Sequence, residues 1–569
     1  MNKPIYILGT GLSHDGSSCL MRNGEIVVGV EKERLTRKKH DGFNDNLTLA
    51  YCLETEGITW KDIDLLVENN TKNRFELEDQ RRRLGRDIPD FVPKINIPHH
   101  LAHAYSAVGT SPFLDTTVVV IDGRGDSLDN CFDASPQAIP SDVRDLPIDS
   151  RDEWFEKVSF YSFRNGRMET IFKDFSRLIA PNINRTQFPL APPSMEHSLG
   201  EFYGGVSRYV FNKDFQMGKL MGLAPYGRPD VFANEGFVFQ GGRAFINYDS
   251  LPRVPIELDG KFYEMPDCFQ AYADLAYWAQ KELEKALLSV FKTAHDLAPS
   301  RNVAYAGGVA LNAVGNRRLL QESSFENFYF QPAAGDNGLA LGCCYYGWLE
   351  VLKKSSVKHS GASAFGRRYN TEQCSKALAS LGPKFSVTEP EDIIIATARM
   401  LADGKTVGWF QGPSEFGPRA LGHRSILADP RRAEMQDFIN ARVKLREEFR
   451  PFAPSITEAG SRSYFKENFE SPYMILVMDV IPEWRDRLPA VVHKDGTARV
   501  QTVSARLNPP YYRLLKEFER ITGIPILLNT SFNRRGMPIV ETPEEAVKFF
   551  AESALHALVI DKYQIIKNE

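Results

Sequence analysis

The sequence predicts an α/β protein of more than one domain, and three observations carry that prediction. The chain has 569 residues, of which 43% are hydrophobic and 25% charged, which is ordinary for two or three globular domains. Short apolar runs end in glycine loops, as residues 116–121 do before Asp122-Gly123. Capped helix starts also occur between strand-like runs, as at Thr542-Pro543-Glu544-Glu545.

Two strand and loop units stand in the first third of the chain. An apolar run at residues 5–9 precedes the loop 11–16, and the runs 17–21 and 25–30 flank Asn23-Gly24, a strong hairpin signal. The run 116–121 precedes the second glycine loop. Together the units resemble the paired phosphate loops of the actin, hexokinase and Hsp70 type of ATP-binding fold. They predict a duplicated domain of that kind.

A third glycine loop, Gly307-Gly308, stands between a strand-like run and a helix start. Such a turn lets backbone amides approach a nucleotide, and it resembles the adenosine loop of the same superfamily. If this loop stood alone, close packing of a strand on a helix would be the favoured explanation. With the other loops it makes Gly123, Gly307, Gly308 and Asn312 candidates for nucleotide binding.

The stretch that follows is rich in Lys, Ser and Gly and lacks periodicity. We therefore expect a first domain at residues 1–354, a linker at 355–368 and a second domain at 369–569. In the second domain, residues 391–401 are helix-like and residues 406–410 and 524–528 are strand-like.

Composition argues against several classes of protein, namely nucleic-acid binding, secreted and membrane proteins. A net charge of −4 argues against nucleic-acid partners and against attraction to acidic membranes. Seven scattered cysteines without a C-x-x-C pair predict reduced thiols rather than a disulfide framework or zinc ribbon. No signal peptide pattern and no apolar run of about 18 to 20 residues is visible, so we expect a cytoplasmic protein. The sequence does not indicate the oligomeric state.

Two histidines and two aspartates form a candidate metal site. His99 and His103 are four residues apart, which on a helix places both imidazoles on one face, and Asp122 ends a strand-like run. Asp336 follows Gly335 just before a helix-like run. For the histidine pair alone, packing inside a helix is an equal alternative. The four ligands together suit Fe(II), Zn(II) or Mn(II) without choosing among them.

Arginine and lysine are frequent in the Gly- and Pro-bearing loops of the second domain. Charged residues on a helix usually form its solvent-exposed face, but that explanation does not apply to loops. Guanidinium and ammonium groups suit phosphate oxygens, so a nucleotide or phosphorylated small molecule is the expected ligand. The candidates for binding it are Arg419, Arg424, Lys444, Arg446, Arg450, Arg499, Asn529, Ser531 and Asn533.

In chain order, these motifs resemble the O-carbamoyltransferases of antibiotic and nodulation-factor biosynthesis. The match spans nearly the whole chain and includes His14-Asp15, His99 to His103, the segments 218–227 and 417–425, and residues 530–533. The resemblance implies a first domain like the tRNA threonylcarbamoyl transferase, with iron, and a YrdC-like second domain. Lys444-Leu445-Arg446 and Ser531-Phe532-Asn533 look like the K-x-R and S-x-N signatures of YrdC-type domains.

The resemblance also implies an activity. Family members form carbamoyl adenylate and pyrophosphate from ATP and carbamoyl phosphate in the second domain, where Mg²⁺ can accompany ATP. The first domain then passes the carbamoyl group to a hydroxyl of a natural product, which points to secondary metabolism. The acceptor alcohol is not indicated, although Lys38, Lys39 and residues 175–197 are candidates for shaping its pocket.

Individual roles follow from the same resemblance. It implies that the nucleotide is bound by Arg419, Arg424 and Arg499, and that carbamoyl phosphate is bound by Lys444, Arg446, Arg450, Asn529, Ser531 and Asn533. His14 is a candidate base for the hydroxyl proton, with Asp15 as its catalytic partner; a loop histidine bonded to Asp15 is an equal alternative. Lys219 is a candidate nucleotide contact, but Met217 stands where the family often has Glu. A tRNA-modifying transferase is disfavoured by the charge and the fused second domain. A nucleotide sensor without turnover is disfavoured because every expected polar position is occupied.

Overall fold

The structure is a computed structural model that describes residues 3–69, 85–179, 189–355 and 359–568. It divides into two compact units. The first comprises Met1–Lys32 and Asp41–Gly361, and the second Glu33–His40 and Ala362–Glu569. The short segment Glu33–His40 therefore packs with the second unit, although it follows the first three strands in sequence.

The first unit contains two five-stranded sheets and a separate hairpin. The strands of the first sheet are β1 (Tyr6–Gly11), β2 (Ser17–Arg22), β3 (Glu25–Glu31), β4 (Leu65–Asn69) and β5 (Lys94–Asn96). The strands of the second are β6 (Thr116–Ile121), β7 (Trp154–Arg164), β8 (Arg167–Arg177), β11 (Asn302–Ala306) and β12 (Asn327–Phe330). The hairpin is formed by β9 (Phe237–Gln240) and β10 (Arg243–Ile246).

Both sheets have one topology. Their orders are β3-β2-β1-β4-β5 and β12-β11-β6-β7-β8, so each has its first strand in the centre. In each sheet the first three strands form an antiparallel meander. The fourth strand pairs with the first in parallel, and the fifth pairs with the fourth in parallel. The repeated order confirms the predicted duplicated fold of the actin and hexokinase type. The predicted hairpin is present too, with Asn23 and Gly24 both at positive φ.

The described helices of the first unit lie between these strands and after the last of them. They are α1 (Lys32–Thr36, which crosses into the second unit), α2 (Asn46–Glu56), α3 (His99–Thr110), α4 (Ser141–Arg144), α5 (Leu199–Phe211), α6 (Met217–Leu223), α7 (Phe269–Leu297), α8 (Ala313–Glu322) and α9 (Leu339–Tyr346). A π-helical turn, Gly347–Val351, extends α9.

Helix α3 is buried along its whole length. Its backbone contacts that of α9 directly. A Cβ at Gly342 of α9 would lie 1.7 Å from the carbonyl oxygen of Ala102 in α3. A Cβ at Gly109 would in turn overlap the ring of Tyr345. These contacts tolerate no added side chain, so they hold the helix that carries His99 and His103 against its neighbour.

The second unit is built on one mixed eight-stranded sheet of order β13-β22-β21-β14-β15-β20-β16-β19. Its strands are β13 (Phe385–Thr388), β14 (Val407–Phe410), β15 (Arg424–Ala428), β16 (Ala453–Thr457), β19 (Gln501–Val503), β20 (Ile526–Ser531), β21 (Ala557–Ile560) and β22 (Tyr563–Lys567). A separate pair is formed by β17 (Val477–Asp479) and β18 (Thr497–Arg499).

Helices lie on the sheet of the second unit. They are α10 (Thr371–Leu378), α11 (Ile393–Ala402), α12 (Glu434–Phe438), α13 (Pro482–Arg485), α14 (Pro509–Thr522) and α15 (Pro543–Glu552), and a π-helical turn spans Ile439–Lys444. Successive strand residues enter different cores: Trp409 packs with α11 and α14, whereas Phe410 packs with α10 and α15. This arrangement confirms the predicted α/β class of the second domain.

A local prediction is also confirmed. The capping box at Thr542 opens α15, with Pro543 as its first residue. All seven cysteines lie in the described residues and are free thiols. Within that part of the chain, every helix is too short or too polar to cross a membrane.

Candidate active site

Four buried side chains of the first unit converge at one point. His99 and His103 lie one turn apart on α3, Asp122 follows the end of β6, and Asp336 precedes α9. The Nε2 atom of His99 is 3.2 Å from Asp122 Oδ2 and 3.4 Å from Asp336 Oδ1. The Nε2 atom of His103 is 3.9 Å and 3.6 Å from the same two oxygens.

The donor atoms fit a metal ion. One ligand atom from each of the four residues lies within 4.8 Å of all the others. Both ring nitrogens of His103 and Nδ1 of His99 are buried without a hydrogen-bond partner in the described residues. A cation at this point would satisfy Nε2 of both histidines.

The outer carboxylate oxygens are held by the protein. Asp122 Oδ1 accepts a hydrogen bond of 2.8 Å from the backbone N–H of Gly308, and Asp336 Oδ2 accepts one from the hydroxyl of Ser13. These bonds leave Asp122 Oδ2 and Asp336 Oδ1 directed at the imidazoles. The carboxylates are therefore oriented for ligation before any ion binds.

Charge in this cluster is balanced between its members. Burial would raise the pKa of Asp336, but the nearby His14 and His99 hold it well below its usual range. Burial would likewise lower the pKa of His99, but Asp336 and Asp122 raise it well above its usual range. Because a metal ion needs neutral imidazoles, its binding here would release protons.

His14 lies beside this cluster. Its Nε2 atom is 3.4 Å from Asp336 Oδ2, its Nδ1 atom is 3.3 Å from Asp15 Oδ2, and 43% of its side chain is exposed. Phe215 packs against the ring at 4.7 Å between centroids. Burial lowers the pKa of His14, but Asp336 and Asp15 together raise it to about 9. Its role as a base stays a prediction.

The glycine loop at 307–308 meets the metal candidates directly. Gly307 has φ +93°, and a Cβ there would lie 2.3 Å from the carbonyl oxygen of Ile121. Gly308 donates to Asp122 as described above, while Gly123 packs against Gly200 at the start of α5. These glycines therefore bring the two loops and a helix end into contact without side chains.

Two other nucleotide candidates are engaged within the protein. The Asn312 amide caps α8 through Gly315 N–H and exchanges two hydrogen bonds with Gln280. The Lys219 ammonium donates to the Tyr263 hydroxyl at 2.8 Å and lies over two aromatic rings. Both nucleotide roles stay predictions.

In the second unit, Lys444 is buried next to the end of β20. Its ammonium donates to the carbonyl oxygen of Ser531 at 2.6 Å, to the Ser531 hydroxyl at 3.1 Å and to Asn533 Oδ1 at 2.6 Å. Leu445, at φ +52°, ends the π-helical turn that delivers Lys444. The structure thus brings together the two short motifs predicted to act jointly.

Four arginines accompany this lysine. Burial lowers the pKa values of Arg446 and Arg499 well below the usual range, and neighbouring arginines lower them further, Arg450 among them in both cases. Burial and Arg450 also lower the pKa of Arg419 to about 10. Burial, together with Arg446 and Arg450, likewise lowers the pKa of Lys444 well below its usual range. We call Arg419, Lys444, Arg446, Arg450 and Arg499 the cation cluster; their mutual repulsion favours an anionic ligand.

Two residues predicted to bind ligand lie in the framework of this unit instead. Arg424 is fully buried, lies over the Phe410 ring at 3.5 Å and donates to the carbonyl oxygen of Gly412. The Asn529 amide donates to Ala420 O and to Gln501 Oε1. Their binding roles stay predictions, but the contacts observed are those of structural residues.

Sequence reasoning missed the residue that shapes the loop of residues 417–424. Glu415 is buried, and its Oε1 atom accepts backbone hydrogen bonds from Leu421, His423 and Arg424. Ser13, which orients Asp336, was missed as well. Lys39, predicted to line a pocket, pairs with Glu33 at 2.6 Å, and the segment 175–197 lies partly outside the described residues.

Comparison with known proteins decides the family. The family model "Carbamoyltransferase N-terminus" matches residues 6–82 and 83–345, and "Carbamoyltransferase C-terminus" matches residues 398–567. The chain belongs to the carbamoyltransferase family. This carbamoyltransferase is 32% identical to nodulation protein NolNO of Sinorhizobium fredii, covering 97% of this chain and 79% of the relative. It is also 32% identical to nodulation protein NolO of Bradyrhizobium diazoefficiens, covering 82% of this chain and 78% of the relative.

Proposed function

We propose that this carbamoyltransferase is ATP-dependent and carbamoylates a hydroxyl group of a small natural product. The observation that carries the proposal is the cation cluster of the second unit. Lys444 is buried and the four arginines are half-buried, and these mutually repelling cations are stabilised when polyphosphate or phosphate oxygens bind among them. ATP together with carbamoyl phosphate presents that charge.

The first half-reaction is assigned to the second unit. Water first hydrolyses carbamoyl phosphate to carbamate and orthophosphate. An oxygen of the carbamate then attacks the α-phosphorus of ATP. Carbamoyl adenylate forms and pyrophosphate leaves, so one water is consumed for one orthophosphate and one pyrophosphate released. Lys444 and the arginines offset the charge that builds up on the phosphate oxygens. Ser531 and Asn533, which contact Lys444, are the proposed ligands of the carbamoyl group.

The second half-reaction is assigned to the first unit. The acceptor hydroxyl attacks the carbamoyl carbon, AMP leaves, and the hydroxyl proton passes to a base. His14 in its neutral form is the candidate for that base, because its ring is partly exposed and Asp15 and Asp336 flank its two nitrogens. A cation held by Asp336 would favour the neutral form, since it would offset the carboxylate that raises the pKa of His14. A metal ion held by His99, His103, Asp122 and Asp336 would supply Lewis-acid polarisation of an oxygen.

The metal proposed is iron, ahead of zinc or manganese, and Mg²⁺ is proposed to accompany ATP. The ligand types alone suit each of the first three ions, so the choice of iron rests on the family resemblance. The proposed substrates are ATP, carbamoyl phosphate and a hydroxylated natural product of secondary metabolism. The family itself supports small molecules as substrates.

A two-step assay tests the proposal. The full-length protein is first given ATP and carbamoyl phosphate without an alcohol, and pyrophosphate is measured. A panel of hydroxylated natural products is then added, and products are screened for the mass of one carbamoyl group. The proposal expects carbamoyl-phosphate-dependent pyrophosphate release in the first step and a carbamoylated alcohol in the second. Absence of pyrophosphate release in the presence of both substrates would overturn it.

A further inference from the structure

Helix α3 begins without a cap of its own. The residue before it is Pro98, whose side chain cannot accept hydrogen bonds from the first turn. The first two backbone N–H groups instead donate to distant carboxylates. His99 N–H donates to Asp126 Oδ2 at 2.7 Å, and His100 N–H donates to Glu156 Oε2 at 3.3 Å. Both carboxylates are buried.

Glu156 also holds the loop that carries Asp122. Its Oε2 atom accepts a hydrogen bond of 3.0 Å from the backbone N–H of Asp126. Its own backbone pairs with Gly125 and Asp126 at 2.9 Å each. A Cβ at Gly125 would lie 2.6 Å from Glu156 Oε2 and 2.7 Å from a ring carbon of His100. One carboxylate thus contacts the metal-site helix and the metal-site loop at once.

Lys173 holds Glu156 in place. Its ammonium is fully buried and forms ion pairs with Glu156 and, at 3.0 Å, with Asp133. Cys131, Asp133 and Glu156 together have the composition of a small metal site. The Lys173 ammonium already pairs with both carboxylates of that group, so we assign the group to a buried charge network rather than to a second metal ion.

We propose that Glu156, fixed by Lys173 and assisted by Asp126, is a positioning residue that sets the affinity of the His99, His103, Asp122 and Asp336 site for a divalent ion. It acts by holding the helix of the two histidines and the loop of Asp122 at one separation. The inference rests on the proposed metal role of those four residues. Partners that orient ligands in this way are commonly worth about 10- to 100-fold in metal affinity.

Two variants test the proposal with Co²⁺ as the probe. Glu156→Gln removes the charge yet leaves Lys173 paired with Asp133, so it is less disruptive than loss of Lys173. Asp126 takes no part in these ion pairs, and Asp126→Asn keeps one side-chain oxygen that can accept the hydrogen bond from His99 N–H. Glu169→Gln on the exposed part of β8 is the matched control for the same chemical change. Each protein is titrated with Co²⁺, followed by its visible absorption, and its folded state is checked by circular dichroism.

We expect Glu156→Gln to bind Co²⁺ about 10- to 100-fold more weakly with an altered Co²⁺ spectrum, Asp126→Asn to show a smaller loss, and Glu169→Gln to match the wild type. If Glu156→Gln does not fold, the Asp126→Asn result decides by itself. Wild-type affinity and spectrum in the folded variants would overturn the positioning role alone. Failure of the wild type to bind Co²⁺ would instead overturn the metal site, and the inference with it.

Discussion

Replacement of Lys444 by Glu is the sharpest perturbation of the proposed adenylation site. Lys444 is 3% exposed, and its ammonium contacts Ser531 and Asn533, the residues proposed to hold the carbamoyl group. A glutamate at this position would face Arg446 and Arg450, the two arginines that act on the lysine. It would therefore pair with the cations that are proposed to bind substrate phosphate, and would repel the phosphate itself.

The size of the effect follows from charge and distance. A unit charge about 4 Å from a phosphate oxygen contributes about 4 kcal/mol at an effective dielectric constant of about 20. At about 1.4 kcal/mol per tenfold change, loss of the cation corresponds to about 10³-fold in kcat/KM for pyrophosphate release. This is an upper limit, because burial and the nearby arginines lower the pKa of Lys444 well below its usual range. Reversal of the charge adds repulsion of similar size.

The assay is pyrophosphate release from ATP and carbamoyl phosphate without an alcohol. Lys444→Met separates loss of the cation from charge reversal, and Lys376→Glu on an exposed helix face controls for the added acid. We expect release to fall in the order wild type, Lys444→Met, Lys444→Glu, with Lys376→Glu at the wild-type rate. Metal content should not change, since the proposed ligands belong to the other unit. Wild-type release by folded Lys444→Glu protein would refute the assignment.

Three further predictions concern the metal, a glycine and pH. The His103→Ala protein should lose its bound metal and its carbamoyl transfer activity but retain pyrophosphate release. Metal analysis and the two assays check this. Full metal content and full product formation would show that this histidine has only a packing role. Gly307→Ala should lower the unfolding temperature, because its φ is +93° and the added Cβ would lie 2.3 Å from a backbone oxygen, whereas Gly218→Ala, with no atom nearby, should not. Burial lowers the pKa of His493 to about 4, below the value of about 6.5 in unfolded chains, so its contribution to stability is present above pH 6.5 and is lost as pH falls towards 4. Acid unfolding curves of His493→Gln should show a smaller loss in that window, and curves parallel to those of the wild type would contradict this.

Local patterns were sufficient for much of the fold. Apolar runs followed by glycine loops located β1 and β6, and Asn23-Gly24 located the first hairpin. The helical spacing of His99 and His103 predicted their shared face, since a period of four residues is visible in the sequence itself. The convergence of Asp122 and Asp336 on them depends on the duplicated topology, which the paired strand and glycine-loop units predicted.

Contacts between distant segments were beyond the sequence. Ser13 orients Asp336 across 323 positions of the chain, and no local pattern marks a serine for that role. No local pattern marks Glu156 or Lys173 as buried, yet both lie fully buried on β7 and β8. Arg424 fitted the phosphate pattern by composition, but the structure stacks it on Phe410 because both lie opposite each other in paired strands.

The position at which ATP is cleaved tests the central claim most directly. Wild-type protein is incubated with ATP and carbamoyl phosphate, and the nucleotide and phosphate products are separated and counted. Formation of carbamoyl adenylate cleaves the bond between the α- and β-phosphates, so the account predicts pyrophosphate and orthophosphate in equal amounts, AMP as the final nucleotide, and no ADP. Formation of ADP with orthophosphate would show cleavage between the β- and γ-phosphates, and would contradict adenylate chemistry in this protein.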